Sequence, residues 1–422
     1  MSLLAYHLFL ALYQLAARIA AMFNVKAAKW VQGRQGLLKT IEGSGLRAAR
    51  PIWIHCASVG EFEQARPLIE AIKSSRPEQK LVVTFFSPSG YELHKNYRLA
   101  DHVWYLPFDG SRRSAAFVKY VNPGLAIFIK YEFWHYYFKS LWKRGIPTVI
   151  ASASFRKEQP FFQWYGGFFR RMLRQVSLFF VQDKDSAGLL TSIGIGSGKV
   201  LVTGDTRYDR VAQIAGSAQS FPLLESWKGA APLLIAGSTW QDDERIIHNC
   251  LDVLPQDWKL VVAPHELHQS RLKEVVMLFG ADTILYSELE AGGGAPGKRV
   301  LIIDNMGMLS SLYRYGQIAF VGGGFQKGGI HNTLEPAVFG LPVLFGPVYT
   351  KFVDAVRLKH QGFGFPVKDE AEYRRVFQGL IADPGALADL QKSLRAYMQQ
   401  NLGATRQILE SLESLMPSGR EY

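Results

Sequence analysis

From residue 51 onward, short apolar runs alternate with longer segments whose apolar residues recur every three or four positions. The short runs predict buried strands, and the longer segments predict amphipathic helices. This alternation is typical of parallel βαβ units. A first series of strands is predicted at 52–57, 81–86, 102–106, 125–129, 148–151, 178–181 and 200–203. A second series is predicted at 233–236, 259–263, 283–286, 300–303, 318–321 and 343–345.

Two such series predict an α/β protein of two Rossmann-like domains that face a cleft. A chain of 422 residues is also longer than one ordinary hydrophobic core requires. The polar segment 204–222 is expected to contain the domain crossing. We predict an N-terminal helix within 1–24, a first domain over 25–212 and a second domain over 213–385. The last segment, 386–422, is predicted to form a helix, about 386–415, that packs back on the first domain.

An apolar segment at 3–23 precedes the α/β region and is interrupted by His7, Gln14 and Arg18. Its length is close to the roughly 20 residues that a membrane-spanning helix needs. Basic residues follow directly, at Lys26, Lys29, Arg34 and Lys39. A basic flank of this kind is typical of the cytoplasmic side, so we predict a membrane-associating helix with a cytoplasmic body. A buried amphipathic helix is the alternative.

Charge and cysteine content narrow the function classes. The chain has 48 basic and 36 acidic residues, a formal charge of +12 that favours anionic partners. The basic residues are scattered and no nucleic-acid module is recognisable, which favours an anionic membrane surface and an anionic substrate over nucleic acid. Cys56 and Cys250 are far apart and have no metal-binding or redox spacing. They indicate a reducing compartment and argue against a zinc or iron–sulfur site.

Glu61 is the first candidate catalytic residue. The predicted strand 52–57 ends in a turn of small residues, Gly60 permits a sharp bend, and a helix begins near Glu61. Ligands of such sheets bind beyond the carboxyl ends of the strands. The helix dipole favours an ionised carboxylate at this place, so Glu61 is expected to be a base at neutral pH. The alternative is that Glu61 only complements the dipole.

Three further charged residues follow predicted strands or the domain crossing. Glu132 comes after strand 125–129, and its alternative role is pairing with Lys130 or an arginine. Arg156 comes after strand 148–151 and is a candidate for bidentate binding of a sugar carboxylate, with a surface ion pair as the alternative. Arg207, near the domain crossing, is a similar case.

The segment 161–174 places six aromatic residues beside Arg170, Arg171 and Arg174. Aromatic rings with basic groups suit the headgroup region of an anionic bilayer or a phosphorylated lipid. A helix that packs its aromatic face on the core and leaves its arginines in water is the alternative.

The strongest local signal is the glycine-rich segment 320–337. Glycines follow strand 318–321, and a helix is predicted from about Asn332. Free N–H groups at a helix start suit a phosphate, and Glu335 is placed to accept hydrogen bonds from ribose hydroxyls. An early G-x-G-x-x-G turn and a Walker lysine loop are absent from the sequence, which argues against NAD. The alternative is a glycine-rich turn capped by Asn332.

These motifs resemble the Kdo (3-deoxy-D-manno-octulosonic acid) transferase family, which has the glycosyltransferase B architecture. The matching segments are 58–61, 131–134, 237–239, 306–307, 328–336 and 342–347. The resemblance implies an inverting glycosyltransferase that moves Kdo from CMP-Kdo to the lipid A precursor (lipid IVA), in lipopolysaccharide core biosynthesis. It implies activity at the cytoplasmic face of the bacterial inner membrane, and the activated donor makes no metal or other cofactor obligatory.

The resemblance also implies roles for individual residues. Glu61 is the catalytic base. Apart from the resemblance, we take as candidates for binding the sugar carboxylate or supporting the site Glu132, Arg156, Arg207 and His331. The implied CMP contacts are Pro264, His265, Met306, Gly307, Met308, Asn332, Thr333, Leu334 and Glu335.

The chain departs from the family pattern at three places. Many members carry Gly-Glu where this chain has Gly307-Met308, and Pro-Arg-His where it has Pro264-His265-Glu266. Ile330 is inserted in a motif that is often Gly-Gly-His-Asn. Two alternatives remain open: another nucleotide-sugar enzyme of this architecture, an epimerase or a transferase, and a non-catalytic, membrane-attached lipid-binding protein.

Overall fold

The structure, a computed structural model, describes residues 3–293 and 297–417. The chain forms two compact units. The first contains the residues up to Arg210 and those from Leu402 onward, and the second is Val211–Asn401. Each unit contains one seven-stranded parallel sheet, which confirms the predicted class of two doubly wound α/β domains.

The sheet of the first unit has the order β3-β2-β1-β4-β5-β6-β7. Every residue of β1, β2, β4 and β5 is buried, because helices cover a parallel sheet on both faces. This burial explains why the strands are continuous apolar runs. The strands are β1 (Ile52–Cys56), β2 (Leu81–Phe85), β3 (His102–Tyr105), β4 (Leu125–Ile129), β5 (Thr148–Ala153), β6 (Leu178–Val181) and β7 (Val200–Val202).

The helices of this part of the chain are α1 (Leu3–Ala20), α2 (Val25–Gln32), α3 (Leu37–Glu42), α4 (Val59–Ser75), α5 (Pro88–His94), α6 (Ser111–Val121), α7 (His135–Lys143), α8 (Gly167–Leu173), α9 (Lys184–Ser192) and α10 (Thr206–Gly216). Short 3-10 turns occur at Pro160–Phe162 and Ser197–Lys199. The boundary between the units, after Arg210, falls within α10.

The sheet of the second unit has the order β10-β11-β9-β8-β12-β13-β14, again with parallel neighbours. Its strands are β8 (Leu233–Thr239), β9 (Lys259–Pro264), β10 (Thr283–Leu285), β11 (Val300–Ile302), β12 (Ile318–Val321), β13 (Val343–Phe345) and β14 (Gly364–Pro366). The remaining helices are α11 (Pro222–Lys228), α12 (Gln241–Asn249), α13 (Gln269–Phe279), α14 (Tyr286–Glu290), α15 (Leu309–Leu312), α16 (Leu334–Ala337), α17 (Val353–His360), α18 (Glu370–Ile381), α19 (Pro384–Gln400) and α20 (Ala404–Leu412). Further 3-10 turns are Leu251–Val253, Gly280–Asp282 and Tyr313–Tyr315.

The C-terminal region forms two helices where the sequence predicts one. Gly403 has a φ of 101°, a left-handed conformation that ends the helical path between α19 and α20. α20 packs in the core of the first unit, where Ile408 and Leu412 lie with Phe62 of α4. α19 belongs to the second unit, where Leu387 joins the hydrophobic core. The unit boundaries after Arg210 and Asn401 thus differ from the predicted 212 and 385.

α1 lies against the first unit along one face. Tyr6 and Leu10 are buried, and the Tyr6 hydroxyl donates a hydrogen bond of 2.6 Å to Asp109. One turn further along, Tyr13 contacts the ring of Trp30 edge-on at 5.4 Å. Among the described residues, α1 is the one helix that is long and apolar enough to cross a membrane.

Candidate active site

The order of the first sheet reverses between β1 and β4: β2 and β3 continue from β1, and β5 to β7 continue from β4. Ligands of doubly wound sheets bind at such a reversal, beyond the carboxyl ends of the strands. Glu61 follows β1 in the first turn of α4, and Glu132 follows β4. The fold therefore brings these two predicted site residues to the same crevice, and their charges interact.

Glu61 is a partly buried carboxyl group at the start of α4. Its Oε2 accepts a hydrogen bond from the Ala57 N–H. Burial and then the charge of Glu132 raise the pKa of Glu61 to about 7, against the lowering effects of the Ala57 N–H and of Lys130. The helix position alone predicts a fully ionised base at neutral pH. The structure instead makes about half of this group protonated there, because desolvation and a like charge outweigh the dipole.

Glu132 lies beside two ring nitrogens, one of which donates a hydrogen bond to it. Trp134 Nε1 donates to Glu132 Oε2 at 2.9 Å, and His55 Nε2 lies 3.5 Å from the same oxygen. His55 is completely buried in β1, and its Nδ1 lies 2.9 Å from Thr84 Oγ1. His55 thus lies next to the carboxylate that raises the pKa of Glu61, but its Nε2 forms no hydrogen bond among the described residues. The sequence analysis missed His55, although a polar side chain inside an apolar strand was a signal.

The two predicted arginines have different surroundings. Arg207 donates to Asp205 Oδ2 from Nε at 3.0 Å and from Nη2 at 2.6 Å, and Asp205 is buried. Arg207 thus forms an ion pair with Asp205, which is the alternative to its predicted role in binding the substrate. Arg156 is exposed beyond β5 and forms no ion pair with any carboxylate of the described residues. No hydrogen bond among the described residues joins either arginine to Glu61 or Glu132.

In the second unit the strand order reverses at β8 and β12, and three rings lie beyond the ends of β8, β9 and β12. Trp240 stacks on His265 with ring centroids 4.9 Å apart, and His265 stacks on His331 at 4.4 Å. Trp240 Nε1 donates to His331 Nε2 at 3.2 Å, so a neutral His331 carries its proton on Nδ1. Burial and then His265 lower the pKa of His331 to about 4. His331 is therefore a neutral hydrogen-bond donor rather than a cation at physiological pH.

The glycines of the loop after β12 are used mainly in close contacts within the second unit. A side chain at Gly322 would collide with the backbone of Ser238, and one at Gly324 with the backbone of Gly346. Gly323 has a φ of 88°, and its N–H donates to Asp243 at 2.8 Å. These roles explain glycines that the sequence alone ascribes to an approaching phosphate.

Asp243 fixes this loop to the end of β8. Its Oδ2 accepts hydrogen bonds of 2.8 Å from the N–H groups of both Trp240 and Gly323. Burial raises the pKa of Asp243 to about 6, while these two N–H groups lower it. The sequence analysis missed Asp243, and the acidic run at 242–244 in a first helical turn was the available signal.

The other predicted donor residues surround the same strand ends. Met306 is 90% exposed, whereas the side chain of Met308 is buried in the core. Gly307, between them, has a φ of 90°. Asn332 is exposed, and its Nδ2 donates to Glu335 Oε1 at 3.0 Å. The polar pair Asn332 and Glu335 is thus available at the surface of the loop.

Besides Met308, three further predicted contact residues have buried side chains: Pro264, Thr333 and Leu334. Their backbone groups are what they can offer to a ligand. The helix expected from about Asn332 is the four-residue α16, which begins after Thr333. It provides one short turn of backbone rather than a long helix.

Comparison with known proteins shows which enzymes the chain resembles. The family model for 3-deoxy-D-manno-octulosonic-acid transferase (kdotransferase) matches residues 29–210. A 3-deoxy-D-manno-octulosonic acid transferase of Haemophilus influenzae is 29% identical over 374 residues, 86% of either chain. One of Bordetella pertussis is 26% identical over 385 residues, 86% of this chain and 87% of the relative. Over most of its length this chain resembles the Kdo transferases. The chain is an enzyme, a glycosyltransferase.

The fold has solved counterparts. A UDP-GlcNAc 2-epimerase from Neisseria meningitidis, bound to UDP-GlcNAc, covers 86% of this chain and 100% of its own chain, with a TM-score of 0.59 and 16% identity. A protein described as a putative UDP-N-acetylglucosamine 2-epimerase, from Listeria monocytogenes, covers 86% and 96%, with a TM-score of 0.54 and 14% identity. At this identity the likeness shows a common architecture and not a common reaction.

Proposed function

We propose that this glycosyltransferase moves Kdo from CMP-Kdo to the lipid A precursor, with inversion at the anomeric carbon and without a cofactor. The observation that supports it most directly is Glu61, a carboxyl group with a pKa of about 7 at the crevice between β1 and β4. A general base is most effective when its pKa is near the working pH. The identity of the transferred sugar is proposed from the sequence relatives, which are named as transferases of 3-deoxy-D-manno-octulosonic acid.

In the reaction, Glu61 accepts the proton of the acceptor hydroxyl while that oxygen attacks the anomeric carbon of Kdo. The bond between this carbon and the phosphate oxygen breaks, and CMP leaves with the electron pair. Attack from the face opposite CMP inverts the configuration. The nearby charge of Glu132 raises the pKa of Glu61 and so makes it a stronger base than an ordinary glutamate.

The second unit would bind the CMP part of the donor. His331 is neutral, and its Nε2 is occupied by Trp240, so Nδ1–H is the group it offers to a developing negative charge. Asn332 and Glu335 offer polar side chains at the same loop. Preorganised donors of this kind stabilise a leaving phosphate because they need no reorientation as charge develops.

We place the protein at the cytoplasmic face of the bacterial inner membrane, held by the outward face of α1. Leu4 is 78% exposed, and Leu8 and Leu12 on the same helix are also exposed. Since Tyr6 and Leu10 remain packed on the first unit, this helix would lie in the plane of the interface rather than cross the bilayer.

The segment 161–174 divides in the way that this placement requires. Phe161 and Phe168 are buried, and Phe168 contacts Tyr6 of α1 with ring centroids 5.5 Å apart. Trp164 is 90% exposed and Tyr165 is also exposed. Because α8 packs beside α1, Trp164 is placed to enter the same anionic interface.

The test is incubation of the purified protein with CMP-Kdo and lipid A precursor in detergent micelles, followed by mass spectrometry of the lipid. We expect a lipid heavier by one or more Kdo residues and an equivalent amount of released CMP. CMP release with an unchanged lipid would show donor hydrolysis and contradict the proposal. Interconversion of a nucleotide sugar with no lipid product would favour the epimerase alternative.

A further inference from the structure

An apolar trough runs beside α1 in the first unit. It consists of two hollows of about 430 and 280 Å³ that share Tyr13 and Phe86 in their walls. The two hollows are adjacent along the helix and meet at these two rings, which stack with centroids 6.3 Å apart. Ala16, Ala17 and Ala20 leave room on the helix side of the larger hollow.

The trough leads toward the candidate base. The wall of the smaller hollow includes Trp134 and Glu132, and the Glu132 charge is, after burial, the second cause that raises the pKa of Glu61. The opposite end of the trough lies at Ala20, the last residue of α1, and at Lys26 of α2. An occupant would therefore extend from the interface helix to the crevice where the acceptor hydroxyl must lie.

The flank of α1 on its other side is cationic. Two further hollows, of about 400 and 480 Å³, share Arg18, Arg113 and Gln14, and Lys39 lines the larger one. Gln14 also lines the smaller apolar hollow, so the apolar and cationic surfaces meet at this residue. An apolar channel beside arginines is complementary to a molecule with a hydrocarbon chain and anionic groups. A peptide would leave backbone polar groups unpaired in such a channel.

We propose that the trough binds one fatty acyl chain of the phosphorylated glycolipid acceptor and so aligns its sugar hydroxyl with Glu61. The proposal rests on the proposed function and adds the acyl chain as a recognised part of the substrate. Burial of the chain contributes binding energy remote from the reacting atoms, which serves to orient the hydroxyl.

The kinetic test fills the trough with Ala17→Phe and uses Ala115→Phe as the matched control. Ala115 is exposed on α6 and lines none of the four hollows. Each variant is assayed with an acylated glucosamine disaccharide bisphosphate and with its fully deacylated form. Each methylene kept in water weakens binding by about fourfold, so loss of two or more raises KM by about tenfold or more.

We expect this increase for Ala17→Phe with the acylated acceptor, no change with the deacylated acceptor, and near-normal KM values for Ala115→Phe. Equal KM values of the wild-type protein for the two acceptors would overturn the trough and leave Kdo transfer intact. Absence of product from both acceptors would overturn the proposed function itself.

A direct test on the wild-type protein does not depend on a variant that folds. An acceptor with a diazirine at the end of one acyl chain is photolysed with the protein, and the labelled peptides are sequenced by mass spectrometry. Labels on Trp30 or Phe86, which line the larger hollow away from Glu132, would support the trough. Labels confined to outward residues such as Leu8 and Leu12 would show simple insertion into the micelle and would overturn it.

Discussion

The pH dependence of the reaction follows from the surroundings of Glu61. With a pKa of about 7, about one tenth of this group is ionised near pH 6 and about nine tenths near pH 8. If the ionised form is the base, kcat/KM for the acceptor rises by about tenfold across that interval. An ordinary glutamate, with a pKa near 4.5, would give a flat profile over the same range.

Glu132→Gln is the perturbation that tests this cause. It removes the like charge that raises the pKa of Glu61, while burial, the larger cause, remains. The pKa of Glu61 therefore falls, and the rise of kcat/KM moves to lower pH. Glu63→Gln is the matched control, because Glu63 is on the same helix but pairs with Arg66 at 3.2 Å and Arg210 at 3.0 Å.

The assay measures initial rates of lipid product at low acceptor and saturating CMP-Kdo, from about pH 5 to about pH 9, a range that brackets the expected midpoint. Wild type and Glu63→Gln should share one midpoint near 7, and Glu132→Gln should have a lower one. A midpoint that Glu132→Gln leaves unchanged would refute the argument that this carboxylate sets the pKa of the base. A profile that rises in the same way in Glu61→Gln would show that another group titrates.

Three further predictions concern stability and the loop of the second unit. The pKa of Glu61 in the folded protein lies above its ordinary value of 4.5, so protonation of Glu61 favours the folded state. The free energy of unfolding should therefore decrease by up to about 3 kcal/mol as pH rises from about 4.5 to above 7. Urea denaturation should show a smaller decrease in Glu61→Gln, and the same pH dependence in both proteins would contradict this prediction. Gly324→Ala places a Cβ against the backbone of Gly346 and should weaken CMP binding, as measured by calorimetry. A Cβ at Gly328 meets nothing within 4 Å, so Gly328→Ala should leave stability and CMP binding unchanged. Equal CMP affinity of the two variants would argue against the packing role of Gly324. Tyr6→Phe removes a donor from the buried carboxylate of Asp109 and should lower the free energy of unfolding by about 1–3 kcal/mol; an unchanged urea midpoint would show that this hydrogen bond does not hold α1.

Much of the fold could be predicted from the sequence because parallel strands covered on both faces are continuous apolar runs. All thirteen predicted strands occur. The missed strand, Gly364–Pro366, is a three-residue edge strand whose glycine and proline are typical of a turn. The break at Gly403 was also missed, since a glycine within a helical pattern does not by itself specify a left-handed φ.

The candidate site was predictable where a charged residue directly follows a strand, as with Glu61 and Glu132. The pKa of Glu61 was not, because it depends on burial and on a residue 71 positions along the chain that only the strand order brings near. The ring stack of Trp240, His265 and His331 likewise joins the ends of three separate strands. The glycines of the second unit were assigned to a ligand because sequence does not distinguish an approaching phosphate from approaching backbone.

The proposed mechanism requires that Glu61 removes the acceptor proton during Kdo transfer. The most direct test is a single-turnover measurement of lipid product with Glu61→Gln and wild type, beside calorimetric titration of both with CMP. We predict that the variant binds CMP as wild type does and forms product at least several hundredfold more slowly, within the range of about 10²–10⁴ expected for loss of a general base. Near-normal turnover by Glu61→Gln would show that Glu61 is not the general base.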